Sequence, residues 1–389
     1  MTRARLAILG LFLVGALSSP ASAQGVPDAT QTRAEILQLV SQSSVVEPDS
    51  DLTLRLHVTG APAGARIHVE VHSRVPTRSD FKAALAGRVT RARVGPAIEV
   101  PATPDASGIV VATVPTRDPQ SLLPPDADHV RIGEGVYPVT VDLLSSSGTL
   151  DSLVTFLIRL PVSRQFGPLG VAIVLPEGGT PALQPDGSST LDSSVAQSVL
   201  GHASVLQAHS GIPLTVVPTG ETVDALAKSS ADELHKAVAG RQLPVAPYVR
   251  LRPSEWLSAG LGTELDREFD QGTATVRDTL GPPDPSTYIA DDRLTDDAAR
   301  ALVQRGVHSL IVPEDGVSKV DERLFNRTLT QPFDLNGVSG LRVAAADAAL
   351  SAHAGETGDP VLDANHLLAD LAVLYFDDPP DKRAAVVAF

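Results

Sequence analysis

From residue 169 onward the chain repeats one unit, a short apolar run followed by an amphipathic helical stretch. The runs occupy residues 169–175, 214–217, 243–246, 287–290, 308–312, 341–345 and 384–389. Such runs are too short for helices. Alternation with helical patterns of about 10–15 residues produces βαβ units and a parallel sheet. Seven units approach the count of a β/α barrel, so the pattern predicts an incomplete or open TIM-like barrel over 169–389. Barrels carry their chemistry just beyond the C-terminal ends of the strands, which is where candidate residues are expected.

Residues 33–162 follow a different period. Leu52, Leu54, Leu56 and Val58 alternate with Thr53, Arg55 and His57, and Ile67, Val69 and Val71 with His68 and Glu70. Period two means one buried and one wet face, as in antiparallel sheets. Further strands are expected at 34–40, 98–100, 109–114, 137–143 and 153–160, with a short helix within 77–87. The stretch Gly135-Val136-Tyr137-Pro138-Val139-Thr140-Val141 reads as a late strand of an immunoglobulin-like sandwich, its Tyr anchoring the strand corner. His57, His68 and His72 are expected to face outward. The fold class is therefore multidomain: an immunoglobulin-like β-sandwich (33–162), a linker (163–168) and the open barrel (169–389). The barrel's last run ends the chain at Phe389 without a covering helix, so a C-terminal truncation of a longer protein is also expected.

The first 23 residues read as an export signal. Arg3 and Arg5 precede an apolar stretch of about a dozen residues and the small-residue site Ala21-Ser22-Ala23. That stretch is too short to span a bilayer core of ~30 Å. Cleavage there would take the formal net charge from −15 to −17, since Arg3 and Arg5 leave with it. So acidic a chain does not bind nucleic acid non-specifically. The absence of cysteine excludes disulfides, thiolate nucleophiles and Cys-ligated metals.

Carboxylates stand at the expected strand ends: Glu177, Asp291, Asp292, Glu314, Asp315 and Asp347. Acids converging from neighbouring strands are what a glycosidase requires, one as acid and one as nucleophile or base. Asp291 and Glu314 are the catalytic candidates, because adjacent strands would bring them together. Glu177 and Asp292, with Arg250 and Arg252, are the ligand-binding candidates. Acids after strands also cap the next helix, which is the role expected of Asp347. Metal ligands are not expected: His202 and His209, seven apart on one helix, sit roughly 10 Å apart along its axis. His202, His235, His308, His353 and His366 read as structural. No Gly-x-Ser-x-Gly elbow or phosphate-binding glycine loop occurs. No cofactor is called for.

Several segments resemble an uncharacterised family of actinobacterial cell-envelope proteins. They are Val45-Val46-Glu47-Pro48-Asp49, Pro213-Leu214-Thr215-Val216-Val217-Pro218, Leu243-Pro244-Val245-Ala246-Pro247-Tyr248 and residues 288–312. The resemblance implies a barrel similar to those of glycoside hydrolases and polysaccharide deacetylases. It also implies longer relatives anchored by a C-terminal transmembrane helix. After Pro247-Tyr248 the family favours acids, whereas this chain carries Val249-Arg250-Leu251-Arg252. Arginine cannot act as an acid or base near neutral pH, but its fork can hold a hydroxyl-rich or anionic ligand. The expectation is an exported envelope protein, leaning away from catalysis, that binds a cell-wall glycan or an envelope protein on a degenerate barrel. The alternatives are a metal-independent glycoside hydrolase and a purely structural interaction module.

Overall fold

The computed structural model describes residues 37–89, 91–119, 129–161, 167–179, 184, 186–188, 190–316, 331–377 and 383–388. The expected export signal, the start of the first strand and most of the linker lie outside these residues. The alternating segments of the first module are strands β1 (Leu37–Gln42), β2 (Leu52–Val58), β3 (Arg66–Val71), β4 (Ile98–Pro101), β5 (Ile109–Val114), β6 (Thr116–Arg117), β7 (Val130–Arg131), β8 (Gly135–Ser145) and β9 (Gly148–Arg159). Helix α1 (Arg78–Leu85) interrupts them after β3. Strands β1-β2-β5 form one antiparallel sheet and β4-β3-β8-β9 another. Leu52, Leu54 and Leu56 of β2 meet Ile67 and Val69 of β3 and Val139, Val141 and Leu143 of β8 in a single core. The two inward faces thus follow directly from the period-two pattern. Tyr137 Oη donates to the Gly133 carbonyl at 3.0 Å, tying down the start of β8 as its position suggested.

One histidine departs from expectation. His72 is buried, because the strand carrying it is covered by the segment through Arg91–Arg93. Its ring nitrogens lie 3.3 Å from the Arg91 carbonyl and 3.1 Å from Thr140 Oγ1.

The second module runs β10 (Leu169–Glu177), α2 (Ser193–Ala208), β11 (Thr215–Pro218), α3 (Gly220–Val238), β12 (Pro244–Val245), α4 (Pro253–Ser258), α5 (Gly262–Thr279), β13 (Asp284–Ile289), α6 (Asp296–Gln304), β14 (Ser309–Pro313), β15 (Phe333–Asp334), β16 (Arg342–Ala346), α7 (Ala348–Ala352), α8 (Pro360–Phe376) and β17 (Arg383–Ala388). Each of the seven apolar runs supplies one parallel strand, in the order β11-β10-β17-β16-β14-β13-β12. A bridge between Thr215 and Gln242 brings the two end strands together, with Val216 N donating to the Gln242 carbonyl at 2.9 Å. The result is a nearly closed barrel. A second loose seam lies between β16 and β17, which share, among the described residues, the single pair Ala346–Val386. There β15 lies antiparallel on the start of β16. Strand β17 is an internal stave that pairs with β10 along its length. Val174, Ala346 and Val386 cluster with Ala172, Val217, Ile289, Ile311, Ala344 and Ala388, drawn from six strands around the ring. Seven strands enclose a narrower lumen than eight, and the alanines fit it.

Local signals set the helix starts. Thr295 Oγ1 accepts from Ala298 N at 3.3 Å, and Asp347 accepts from Ala349 N and Leu350 N. In α8 the sequence pattern suggests a buried stripe of Val361, Ala364, Leu368, Leu371, Ala372 and Tyr375, but Ala364 is exposed, while Asp363, His366 and Asp370 are buried. The reason is that α8 is covered from two sides. Leu374 packs with Ala385 and Val387 of β17, and Ala369 and Val373 pack with Phe81, Phe156 and Ile158 of the first module. Asp359 joins the modules at the helix start. It accepts from Val361 N and Leu362 N of α8, and from Leu39 N of β1 at 3.0 Å. Arg78 of α1 joins them again. It forks onto Asp370 with two bonds of 2.7 Å and onto Asp347 at 2.6 and 3.1 Å. At the helix end, Arg383 of β17 donates to the Leu374 and Tyr375 carbonyls, where cations are favoured.

Asp284 locks the barrel strands at their N-terminal end. Burial pushes its carboxyl up, but bonds from Ser286, Gln242 and Thr287 outweigh it and bring the pKa down from 3.8 to about 2. A carboxylate depressed on folding stabilises the chain fully above its unfolded pKa and loses that contribution as pH falls through the folded one. Asp284→Asn should therefore cost about 1 kcal/mol near pH 6. In urea titrations the gap to wild type should close between about pH 4 and pH 2. A gap that persisted at pH 2 would contradict this role.

Candidate functional site

The strand ends gather the acids in the expected order but leave none of the six site candidates unpartnered. Asp291 follows β13, and its Oδ2 accepts from Arg250 Nε at 2.6 Å. Asp292 lies 3.5 Å from Arg252 Nε, while Arg252 Nη1 also donates to Glu255 at 2.9 Å. Burial pushes the Asp292 carboxyl up and the Arg252 charge draws it down, with Glu255 and Asp291 pushing it up again. The same acids hold Arg252 above the usual guanidinium value, Glu255 first among them. Beneath them, Tyr288 is fully enclosed, and burial followed by the two aspartates raises its phenol well above the usual range.

Glu314 opens a short 3₁₀ turn after β14, and its Oε2 accepts from Ala348 N at the start of α7 at 3.1 Å. It thereby shares with Asp347 the capping of that helix. Adjacent strands do carry Asp291 and Glu314, as expected. The two nonetheless serve different neighbours, one an arginine and the other a helix start. Asp347, whose capping role was legible, also receives Arg78.

Glu177 ends β10 beside His202 of α2, at 3.0 Å from Nδ1. His202 is therefore exposed at the rim and not part of the structural core expected for it. Burial pushes the Glu177 carboxyl up, and the His202 interaction opposes this. Behind this pair is an apolar cavity of about 40 Å³ lined by Val199, Ala203, Leu206, Val216 and Thr222. That is far below the roughly 300 Å³ of small-molecule sites. A larger groove of about 670 Å³ lies between α4, α5 and α6, lined by Leu257, Leu265, Phe269, Leu302 and Arg305. It belongs to the helical layer and contains none of the strand-end acids.

The rim can present a row of guanidinium and carboxylate groups to a polar ligand. Arg250 is 70 % exposed and Asp291 42 %, so a hydroxyl-rich ligand can exchange for their mutual bond at small cost.

No protein-family model and no curated protein matches this chain. Among solved structures it is similar to a 4-α-glucanotransferase from Thermococcus litoralis, at 16% identity and TM-score 0.42 over 57% of this chain and 33% of that one. It is also similar to a protein from Mycobacterium smegmatis assigned as a polysaccharide deacetylase, at 16% identity and TM-score 0.35 over 59% of this chain and 79% of that one. A family 4 carbohydrate esterase from Streptomyces lividans follows at 13% identity and TM-score 0.26, over 53% and 86% of the two chains. The chain thus spans a third of the glucanotransferase's length. Its own fold is defined by its strand pairing, a nearly closed parallel β/α barrel behind two antiparallel sheets. No helix among the described residues is long and apolar enough to cross a membrane.

Proposed function

We propose that this chain is an exported cell-envelope protein whose barrel rim binds a cell-wall glycan without cleaving it, its first module acting as an immunoglobulin-like sandwich. One observation carries the reading: Glu177, Asp291, Asp292 and Glu314 at the strand ends are already held by His202, Arg250, Arg252 and the start of α7. A general acid or nucleophile needs a carboxyl available to the reacting atoms. These carboxyls instead neutralise or cap their neighbours. What the rim retains is hydrogen-bonding capacity suited to hydroxyl-rich chains.

The chain should co-sediment with insoluble cell-wall polysaccharide. The double variant Arg250→Ala, Arg252→Ala should weaken binding about tenfold, the equivalent of about 1.4 kcal/mol. Failure to co-sediment, or retention unaffected by the double variant, would overturn the glycan-binding rim.

A glycoside hydrolase is the second reading, and Glu177 favours it. A carboxyl raised by burial is the usual state of a glycosidase's general acid. Release of new reducing ends, lost in Glu177→Gln, would establish that reading in place of the first.

A further inference from the structure

We infer that His353, Glu356 and His366 form a binding site for a divalent transition-metal cation of the zinc class, placed where α8 meets the first module. One ligand atom from each residue can be chosen so that all lie within 4.8 Å of one another. Bonds of about 2.0–2.2 Å at tetrahedral angles put ligand atoms roughly 3.3–3.6 Å apart, so the set closes around an ion with about 1.5 Å of side-chain movement at most. Glu356, the exposed member, can supply that movement.

The histidines are prepared as ligands by what holds their other nitrogens. His366 Nε2 lies 2.8 Å from the Val154 carbonyl. A carbonyl only accepts, so Nε2 carries the proton and Nδ1 presents its lone pair. Among the described residues that Nδ1 is buried and has no hydrogen-bond partner, in a residue only 4 % exposed. A buried polar atom left unmatched is costly, and a cation satisfies it. His353 Nε2 is held by Asp370 Oδ2 at 3.2 Å, while its Nδ1 stands 2.9 Å from Glu356 Oε2. A carboxylate or carbonyl behind each imidazole is the arrangement that orients histidines toward a metal. Asp370 is itself fixed by the Arg78 fork.

The surroundings fit a cation as well. Asp347, Asp370 and Glu356 set three carboxylates against the single guanidinium of Arg78. Phe81 lies edge-on to His353 with ring centroids 5.9 Å apart, and Phe156 to His366 at 5.8 Å. These rings form an apolar wall on the first-module side. Two nitrogens and one carboxylate oxygen suit zinc and its neighbours better than calcium or magnesium. Three protein ligands leave a fourth position for water. Local spacing hides the set: the histidines are thirteen residues apart, on either side of the α8 start, so they match no helical His pair.

The test uses untagged protein, dialysed first against a chelator and then against Zn²⁺. Wild type should retain one zinc per chain by elemental analysis, and its melting temperature should rise by a few degrees with added Zn²⁺. Co²⁺ in place of zinc should give the visible absorption of a four-coordinate site. Glu356→Gln, at an exposed position that leaves the fold intact, should weaken Zn²⁺ binding at least tenfold. His366→Gln should abolish the Co²⁺ spectrum, with circular dichroism checking that it folds. Absence of retained zinc, or Zn²⁺ affinity and Co²⁺ spectrum unchanged in Glu356→Gln, would overturn the site.

Discussion

Arg78→Ala should destabilise the folded chain by about 3–5 kcal/mol, read as a fall in the urea midpoint at unchanged slope. The guanidinium lies between Asp347 and Asp370, which are 9 % and 1 % exposed at their side chains. Burial works against its charge, but the bonds to Asp370 and Asp347 outweigh this and hold it above the usual guanidinium value. Removing it leaves two buried carboxylates without their cation, and an uncompensated buried charge costs more than the pair ever contributed. Asp370 keeps His353, but among the described residues Asp347 keeps only its helix-capping donors. Arg78→Lys should recover a part only, since a point charge cannot fork onto two carboxylates. The contact links α1 of the first module to α7 and α8 of the barrel, so its loss should also loosen their packing. A change below about 1 kcal/mol would mean that the two carboxylates are solvated or protonated without it.

Gly272→Ala should cost about 3 kcal/mol, the upper end of the range for overpacking. In an exposed helix the same substitution stabilises by up to about 1 kcal/mol, since glycine is a poor helix former. Here the sign reverses. Gly272 lies where α5 presses on the chain leaving β12, and a Cβ built there would meet Ala246 O at 2.4 Å, Pro247 C at 2.6 Å and Tyr248 N at 2.6 Å. All three are backbone atoms and cannot rotate away. The approach matters for the rim, because Tyr248 N donates to the Glu268 carbonyl of α5 at 2.8 Å and Arg250 follows two residues later. Urea unfolding measures the effect directly, and equal or greater stability would show that α5 is not seated this closely.

The barrel strands were legible because all are short apolar runs and most have a helix after them, and every run became a stave. Period-two alternation in residues 52–58 and 67–71 likewise marked both faces of their strands. The cap at Asp347 was legible because the carboxylate sits within a turn of the amides it binds. What could not be read is whatever joins distant segments. Arg78 lies 269 and 292 residues from its partners, and nothing near it in sequence distinguishes it from a surface arginine. The α8 stripe was misplaced for a related reason. Its apolar positions are ordinary, but His366 and Asp370 turn inward toward Val154 and Arg78 of the first module, and Asp363 toward the Gly355 and Thr357 amides. At the rim the acids were legible, but their pairing was not. Asp291 and Glu314 were expected to act together because their strands are neighbours. Arg250 arrives from the loop after β12 to take one, and the start of α7 takes the other.

Binding at the rim without cleavage can be read as new reducing ends from cell-wall polysaccharide incubated with the chain at saturating retention. The protein should be retained, with reducing ends at the level of a protein-free control. Release above that control, abolished by Asp291→Asn or Glu177→Gln, would contradict it and make the paired carboxylates catalytic.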